Sequence, residues 1–222
     1  MAPKLKFTII TLFKEALEPY LNASMMWKAQ DKGLVEYEFV NLRDFGLGPH
    51  KSVDDTPYGG GDGMLLRPEP VFAAVESIKA KDPSAKVILP TPAGELWTQK
   101  KAKEMACKAA RHLIIICPHY EGYDERIMQL VDYPISIGHF VLTGGELPAL
   151  IIIDSITRLI PGVLGGETSA EIESFSDGNN IEYPQYTKPA DFRGLKVPDV
   201  LLSGHHEKIA EWRAEHTKKA QK

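Results

Sequence analysis

Short apolar segments alternate with longer segments of helical periodicity along most of this chain, and that alternation restricts its fold more than any other feature. It predicts an α/β domain with a largely parallel sheet, whose ligands would bind beyond the carboxyl ends of the strands. Residues 86–91 and 113–117 are almost entirely apolar, as expected of strands that are covered on both faces. The predicted strands are residues 6–12, 35–42, 86–91, 113–117 and 133–138, and the predicted helices are residues 71–80, 97–112 and 124–131.

The composition is that of a soluble globular protein. The 222 residues suffice for one large domain, or for one domain with a small appendage, and 43% of them are hydrophobic and 25% charged. Cys107 and Cys117 do not have metal-binding spacing. They are therefore predicted to be buried thiols of a reducing compartment, and neither a disulfide nor a zinc site is expected.

No targeting or membrane segment is predicted. The N-terminus has no small-residue cleavage site, and Asp154, Arg158 and Pro161 interrupt the most apolar stretch. A cytoplasmic location is therefore expected. The net charge of −4 argues against a protein whose whole surface binds nucleic acid, but it is compatible with a local basic face. Basic residues gather late in the chain, at Lys188, Arg193, Lys196, Lys208, Arg213, Lys218, Lys219 and Lys222.

Residues 136–166 run from a glycine-rich turn into an apolar helix. Thr143 and Glu146 have the spacing of a capping box, which predicts that the helix begins at Thr143. Gly144 and Gly145 would then lie in its first turn, where the missing side chains let a ligand approach the backbone. The alternative is a tight strand-to-helix turn that binds nothing.

Two further turns are rich in glycine or charge. Residues 56–64, TPYGGGDGM, lack the Gly-Lys-Ser/Thr of a Walker A loop and the context of a dinucleotide-binding fingerprint. The acidic residues around them would repel phosphate, so no phosphate cradle is predicted. In residues 119–127, Glu121 could accept hydrogen bonds from a ligand or be a solvated loop carboxylate, and the next helix is expected to begin at Tyr123 or Asp124.

The composition changes after Gly162, where glycine, serine and acidic residues become frequent, which is typical of a linker or mobile loop. We expect residues 1–162 to form the main domain, residues 163–176 a mobile linker, and residues 177–222 a small C-terminal domain.

Eight segments stand out: NLRDFG, HKSVDDTPYGGGDGM, YEGYDER, SIGHFVLTGGELPA, RLIPGVLG, SAEIESFSDG, EYPQYTKP and VPDVLLSGHHEKIAEWR. In order and spacing they resemble the bacterial tRNA (guanine-N1)-methyltransferases of the SPOUT class. The resemblance extends from the first strand to about Arg213, which is nearly the whole chain. It implies a trefoil-knotted α/β domain with a parallel sheet, an exception to unthreaded topology. It also implies a small, shortened helical C-terminal domain.

The resemblance implies S-adenosylmethionine (SAM) as methyl donor, tRNA as partner, and a homodimer with each active site at the subunit interface. The loops at three predicted strand ends, residues 90–95, 117–125 and 136–146, would hold SAM. The implied SAM-binding residues are Leu89, Thr91, Pro92, Pro118, Tyr120, Glu121, Gly122, Ile137, Gly138, Phe140, Leu142, Gly144, Gly145 and Pro148. Magnesium is associated with the chemistry of this family, but the sequence marks no site for it.

The implied reaction methylates N1 of the guanosine 3′-adjacent to the anticodon, position 37. Because N1 must lose its proton first, the reaction needs a carboxylate base and a cation that stabilises charge on O6. By resemblance these are Glu173 and Arg158. The alternative role for Arg158 is an ion pair with Asp154, one helical turn earlier.

The glycine-rich loop at residues 56–64 resembles the pocket that receives the target guanine, which would be splayed out of its stack. The last segments resemble the small domain that grips tRNA. The implied substrate-binding residues are Asp54, Tyr58, Gly59, Gly63, Met64, Ser203 and His205. His205 and His206 have no third ligand at metal spacing, so a hydrogen-bonding pair at the start of a helix is expected there and no metal site is predicted.

The chain departs from the family pattern at three places. Glu173 stands where aspartate is usual, which moves the carboxylate by roughly 1 Å. Pro118-His119 replaces Gly-Arg, and His139-Phe140 replaces Asp-Tyr. The joint loss of the arginine and the aspartate suggests that one ion pair was deleted as a unit. Restoring both family residues should then be less harmful than restoring either alone.

The chain ends nine residues after Arg213, where relatives continue further, so a weaker hold on the anticodon arm is expected. Lys218, Lys219 and Lys222 could offset part of that loss through phosphate contacts. The alternatives to an active tRNA methyltransferase are a SPOUT methyltransferase with a shifted RNA target, an inactive SAM- or tRNA-binding relative, and a small-molecule methyltransferase. A retained charged pair argues against the inactive relative, and the C-terminal segments argue against a small-molecule substrate.

Overall fold

The computed structural model describes residues 5–107, 111–165 and 172–219. The chain divides into two compact units, residues 1–165 and 166–222. The finer assignment of a mobile linker stays a prediction, and part of that segment lies outside the described residues.

The first unit is built on a five-stranded sheet. Its strands are β1 (Leu5–Thr11), β2 (Val35–Asn41), β5 (Lys86–Leu96), β6 (His112–Ile116) and β7 (Tyr133–Ser136), while β3 (Asp54–Asp55) and β4 (Leu65–Leu66) form a separate antiparallel pair. The order in the sheet is β2-β1-β6-β5-β7, and every neighbouring pair is parallel. The predicted parallel α/β architecture is therefore confirmed, and the five strands are the five that the apolar pattern predicts.

The helices of this unit differ from the predictions at several places, and the two short helices within residues 18–31 were not predicted. They are α1 (Glu18–Leu21), α2 (Ser24–Asp31), α3 (Pro68–Lys79), α4 (Gln99–Cys107) and α5 (Glu146–Thr157), with 3-10 helices at Lys14–Ala16, Leu42–Phe45 and Glu125–Leu130. The predicted helix at 124–131 is thus a 3-10 helix. The helix predicted for 97–112 is too long, because α4 ends at Cys107 and His112 already pairs with Lys6 at the start of β6. The buried His112 side chain contacts Thr8 and Asp82.

Alternate residues of the central strands supply two apolar layers. Phe7 and Ile115 belong to the layer that α1, α2 and α5 cover. Ile10 and Ile114 belong to the layer that α3 covers. Each fully buried aliphatic side chain contributes about 1.5–3 kcal/mol, so the covered sheet accounts for much of the stability of this unit.

Strand β5 is irregular where it passes β7. Pro90 and Glu95 both pair with Ile135, so the segment between them leaves the ladder. Gly94 lies so close to this strand that a Cβ atom would be 2.4 Å from the amide nitrogen of Ile135. Glycine is therefore required at this crossing. The knotted threading implied by the resemblance stays a prediction.

Helix α5 is apolar on nearly all sides. Most of it is buried in the first unit, but Leu147 and Ile151, one turn apart, are 59% and 46% exposed. An exposed apolar stripe of this kind often marks a contact with another molecule.

The second unit contains α6 (Asp199–Leu202), α7 (His206–His216) and two short antiparallel strand pairs, β8 (Asn180–Ile181) with β11 (Lys218–Lys219) and β9 (Asp191–Phe192) with β10 (Leu195–Lys196). The helical prediction for this region is thus correct but incomplete. Lys218 and Lys219 lie in a strand, and Lys222 lies outside the described residues.

The prediction of two buried thiols is half wrong. Cys117 is buried at the end of β6, whereas Cys107 is exposed at the end of α4. Within the described ranges, no helix is long and apolar enough to cross a membrane.

Candidate active site

A cavity of about 210 Å³ lies at the carboxyl edge of the parallel sheet. It is enclosed by the loops that follow β6 and β7, together with the irregular part of β5. All the residues predicted to bind SAM line it except Leu89, whose side chain is fully buried in the core. The lining also includes Pro90, His119, Tyr123, Ile135, Ser136, Val141 and Thr143, which the sequence reasoning did not select. These residues are neighbours in sequence of the residues predicted to bind SAM, so their position beside the motifs could have identified them.

The turn before α5 differs from the predicted capping box. The helix begins at Glu146, and its N-cap is Gly145 without a side-chain hydrogen bond. Glu146 does not reach back to Thr143, because its Oε1 accepts a hydrogen bond of 2.8 Å from the hydroxyl of Thr11. Gly144 and Gly145 therefore precede the first turn of the helix, and the prediction that it begins at Thr143 is wrong.

Gly145 needs its missing side chain. Its amide donates a 2.7 Å hydrogen bond to the carbonyl of Pro118. A Cβ atom at Gly145 would lie 2.3 Å from Cδ of Pro118 and 2.7 Å from Cα of Cys117. The two loops thus touch backbone to backbone, and the cavity wall depends on that contact.

The loop after β6 is tied to the β3–β4 hairpin. The amide of Glu121 donates to the carbonyl of Met64 at 3.0 Å, and the amide of Leu66 donates to Gly122 at 2.9 Å. Tyr120 has a φ of 63°, in the left-handed region that a tyrosine rarely adopts. Burial raises the pKa of the Tyr120 hydroxyl, and the charge of Asp54 adds to the shift. Asp54 therefore lies near the loop that forms the cavity.

The glycine-rich loop at 56–64 connects β3 to β4. Tyr58 at its tip is fully exposed. Gly63 has a φ of +79° and packs against Glu121, whose Cγ would be 2.4 Å from a Cβ atom there. The structure thus brings Gly63 and Met64 next to the cavity wall, whereas Tyr58 and Gly59 extend into solvent.

The 3-10 helix after this loop begins at Glu125 with Asp124 as its N-cap, one residue after the later of the two predicted starts. The carboxylate of Asp124 accepts a hydrogen bond from the amide of Arg126 at 2.9 Å. The hydroxyl of Tyr123 donates to Thr91 at 3.0 Å and so joins the loop to β5.

The loop after β7 carries apolar side chains into solvent. Phe140, Val141 and Leu142 are all exposed. Gly138 has a φ of +150°, and its missing side chain leaves space for the ring of Phe140. This exposed loop borders the cavity and presents an apolar surface to whatever enters it.

His119 lines the cavity, and one of its ring nitrogens lacks a hydrogen-bond partner among the described residues. This atom, Nδ1, is buried, and the nearest carboxylate oxygen is Oε2 of Glu146 at 3.9 Å. A buried polar atom without a partner costs about 1–3 kcal/mol. The resemblance identified His119 as a departure from the family pattern but not as a site residue.

The two implied catalytic residues lie in different units. Arg158 is the C-cap of α5, and its amide donates to the carbonyl of Asp154 at 3.0 Å. Asp154 accepts a hydrogen bond of 2.6 Å from the hydroxyl of Tyr20. Glu173 is half-buried in the second unit. It lines a cavity together with Ser176 and Tyr183. The catalytic roles of Arg158 and Glu173 stay predictions.

Ser203 and His205 form the turn between α6 and α7. The Ser203 hydroxyl donates to the carbonyl of Val200 at 2.7 Å and accepts from the amide of His205 at 3.2 Å. His205 is the N-cap of α7, but its side chain makes no capping hydrogen bond. Within the part of the chain that the structure describes, no group of three or more His, Cys, Asp or Glu could hold a metal ion.

The fold defines the class: this is an α/β protein with a parallel sheet and a glycine-framed cavity beyond the carboxyl ends of its strands, the edge at which such folds bind ligands. The family profile described as “tRNA (Guanine-1)-methyltransferase TrmD” matches residues 5–222. The chain belongs to this family.

Relatives and a solved structure agree with this assignment. A protein of Geobacillus kaustophilus named tRNA (guanine-N(1)-)-methyltransferase is 55% identical over 210 residues, which is 94% of this chain and 85% of that protein. A protein of the same name from Bacillus subtilis is 54% identical over 211 residues, 94% of this chain and 86% of that protein. The crystal structure of tRNA (m1G37) methyltransferase from Aquifex aeolicus matches with a TM-score of 0.80 and 39% identity, over 96% of this chain and 89% of that one.

Proposed function

We propose that this chain transfers a methyl group from SAM to N1 of guanosine 37, the nucleotide 3′-adjacent to the tRNA anticodon. The family supports the reaction, and one observation carries the assignment of the site. The loops that the resemblance assigns to SAM converge on a single cavity at the carboxyl edge of the sheet.

The cavity suits the parts of SAM. Pro90, Ile135 and Leu142 provide apolar walls for a nucleobase, while the glycine turns leave backbone groups accessible to hydroxyl and amino groups. Glu121 supplies a carboxylate at the same wall. When bound, SAM supplies the methyl group through its sulfonium centre.

The chemistry then requires a base and a cation. We assign the base to Glu173, whose carboxylate takes the N1 proton, and the cation to Arg158, whose guanidinium stabilises the charge that develops on O6. Neither role needs a redox or metal step.

We propose that the active form is a homodimer with its active site at the subunit interface. The exposed stripe of Leu147 and Ile151 on α5 supports this, since it gives the helix that ends at Arg158 an apolar face for a partner.

We assign the grip on tRNA to the second unit. A cavity of about 570 Å³ there is lined by Tyr186, Lys188, Trp212 and Arg213, and no acidic side chain is among its described lining residues. Aromatic rings can stack on bases, and the two cations can contact phosphates. The roles of Ser203 and His205 in tRNA binding stay predictions.

The test is methyl transfer from labelled SAM to a tRNA transcript with guanosine at position 37. We expect the wild type to methylate this transcript and not one with adenosine at that position. Glu173→Gln should lose at least about 100-fold in kcat because it cannot accept the proton, whereas Glu173→Asp should stay active because it keeps a carboxylate.

Each failure would have a different meaning. Equal activity of Glu173→Gln and the wild type would overturn the assignment of the base. SAM binding without any transfer would instead favour an inactive binding protein, and transfer to another nucleotide would favour a shifted target.

A further inference from the structure

His119 is held firmly at the wall of the cavity. Its ring lies 4.8 Å from that of Phe13 and 5.3 Å from that of Tyr120, centroid to centroid. Its Nδ1 is buried and has no hydrogen-bond partner among the described residues. The ring thus packs between two aromatic neighbours while one of its polar atoms is left unsatisfied.

That atom faces Glu146. Oε2 of Glu146 is 3.9 Å from Nδ1, while Oε1 is occupied by the hydroxyl of Thr11 at 2.8 Å. Gly144 passes beside both groups, since a Cβ atom there would lie 2.8 Å from Nδ1 and 2.5 Å from Oε2. A closure of about 1 Å would turn this approach into a charge-assisted hydrogen bond.

The charges around the ring favour such a bond. Glu146, from α5, is the carboxylate that faces it, and its side chain is 11% exposed. The loop of His119 contributes the titratable groups of Cys117 and Tyr120, whereas the segment at the end of β1 contributes the ring of Phe13. Burial raises the pKa of the Cys117 thiol, and the charge of Glu146 raises it further, so this carboxylate acts on the loop at the wall.

We propose that His119 is a positioning residue for SAM: when the cavity fills, Nδ1 binds a proton from solvent, keeps it, and donates a charge-assisted hydrogen bond to Oε2 of Glu146 beside Gly144. The bond joins the loop after β6 to the start of α5 and closes the wall around the ligand. The inference rests on the proposed function only in taking SAM as that ligand. Because the proposed bond couples SAM binding to proton uptake, SAM affinity falls as pH rises.

The test is calorimetric titration of the full chain with SAM, between pH 6 and pH 8, in buffers of different ionisation enthalpy. We expect the wild type to take up a fraction of a proton on binding, and its Kd to rise about threefold to tenfold across this range. The measurement does not depend on tRNA or on methyl transfer.

Four variants separate titration from structure. His119→Asn keeps an N–H donor near the position of Nδ1 but cannot titrate, so it should bind SAM without the extra proton and with a flatter pH profile. His119→Phe removes the donor and should bind more weakly throughout. Glu146→Gln should also lose the proton linkage. His50→Gln, at an exposed histidine outside the cavity lining, should behave as the wild type.

Titration of the amino group of SAM contributes equally to every variant, so the difference between wild type and His119→Asn isolates the histidine. Equal proton uptake by these two proteins would overturn the inference and leave the proposed function intact. Equal weakening of the Asn and Phe variants at every pH would also overturn it, since a merely structural role predicts that result. A wild type that does not bind SAM at all would overturn both proposals.

Discussion

The two ends of the parallel sheet in the first unit differ in how completely their polar side chains are paired with one another. At the amino end, Lys6 contacts Glu38 at 2.6 Å, Thr8 donates to Glu38 at 3.1 Å, and His112 bridges Thr8 at 2.8 Å and Asp82 at 3.1 Å. The hydrogen bond from Lys6 holds the pKa of the Glu38 carboxyl below its usual value. These groups satisfy one another, so this end has little left to offer a ligand.

The carboxyl end leaves some of its polar and apolar groups without partners. Tyr120 adopts a left-handed backbone conformation, Nδ1 of His119 has no hydrogen bond from a described residue, and Phe140 is exposed. Strain and unsatisfied groups of this kind persist where function requires them. Size alone would favour another cavity, between the β2 edge of the sheet and α3, which is about 440 Å³ against about 210 Å³.

Among substitutions that test this difference between the two ends, Gly145→Ala should have the largest effect. The new Cβ would clash with the backbone of Cys117 and Pro118, so the loops at the carboxyl end must move apart. A displacement of this size costs about 100-fold in methyl transfer, because the reacting groups lose their alignment. Steady-state transfer to the guanosine-37 transcript measures the loss.

Gly33→Ala is the matched control. Gly33 has a φ of +67° but open space around it, so alanine there adds only backbone strain of about 1 kcal/mol. Its thermal midpoint should fall while SAM affinity stays the same. If Gly145→Ala transfers methyl groups as fast as Gly33→Ala does, the close contact at the carboxyl end has no functional importance.

The same contrast explains what the sequence could predict. Apolar alternation was sufficient to locate the five strands, because burial on both faces leaves few choices of residue. The capping box failed because Glu146 bonds to Thr11, a residue far away in the chain. His119 was not chosen as a site residue because its importance depends on Glu146 and Phe13, which only the fold brings together.

Substitutions at the amino end of the sheet should lower the stability of the protein but leave its SAM affinity nearly unchanged. His112→Ala leaves Asp82 and Thr8 without their shared partner and should lower the free energy of unfolding by about 2 kcal/mol. Urea unfolding measures this loss, and SAM affinity should change by less than about twofold. A tenfold loss of SAM affinity would instead mean that the two ends are coupled.

Asp132, also at the amino end, should give the smallest effect and one that depends on pH. Burial acts to raise the pKa of its carboxyl, but hydrogen bonds from Lys86 and the amide of Val87, with the charge of Lys79, lower it below the usual value. A lowered pKa in the folded state adds stability above the unfolded pKa, and that stability is lost as pH falls through the folded value. Asp132→Asn should therefore destabilise by about 1 kcal/mol at pH 7, a modest figure because Lys86 is partly solvated, and by progressively less as the pH is lowered into the acid range. Thermal melts of both proteins across this range test the sign, and a difference that persists in acid would show that the amide fails for a reason other than charge.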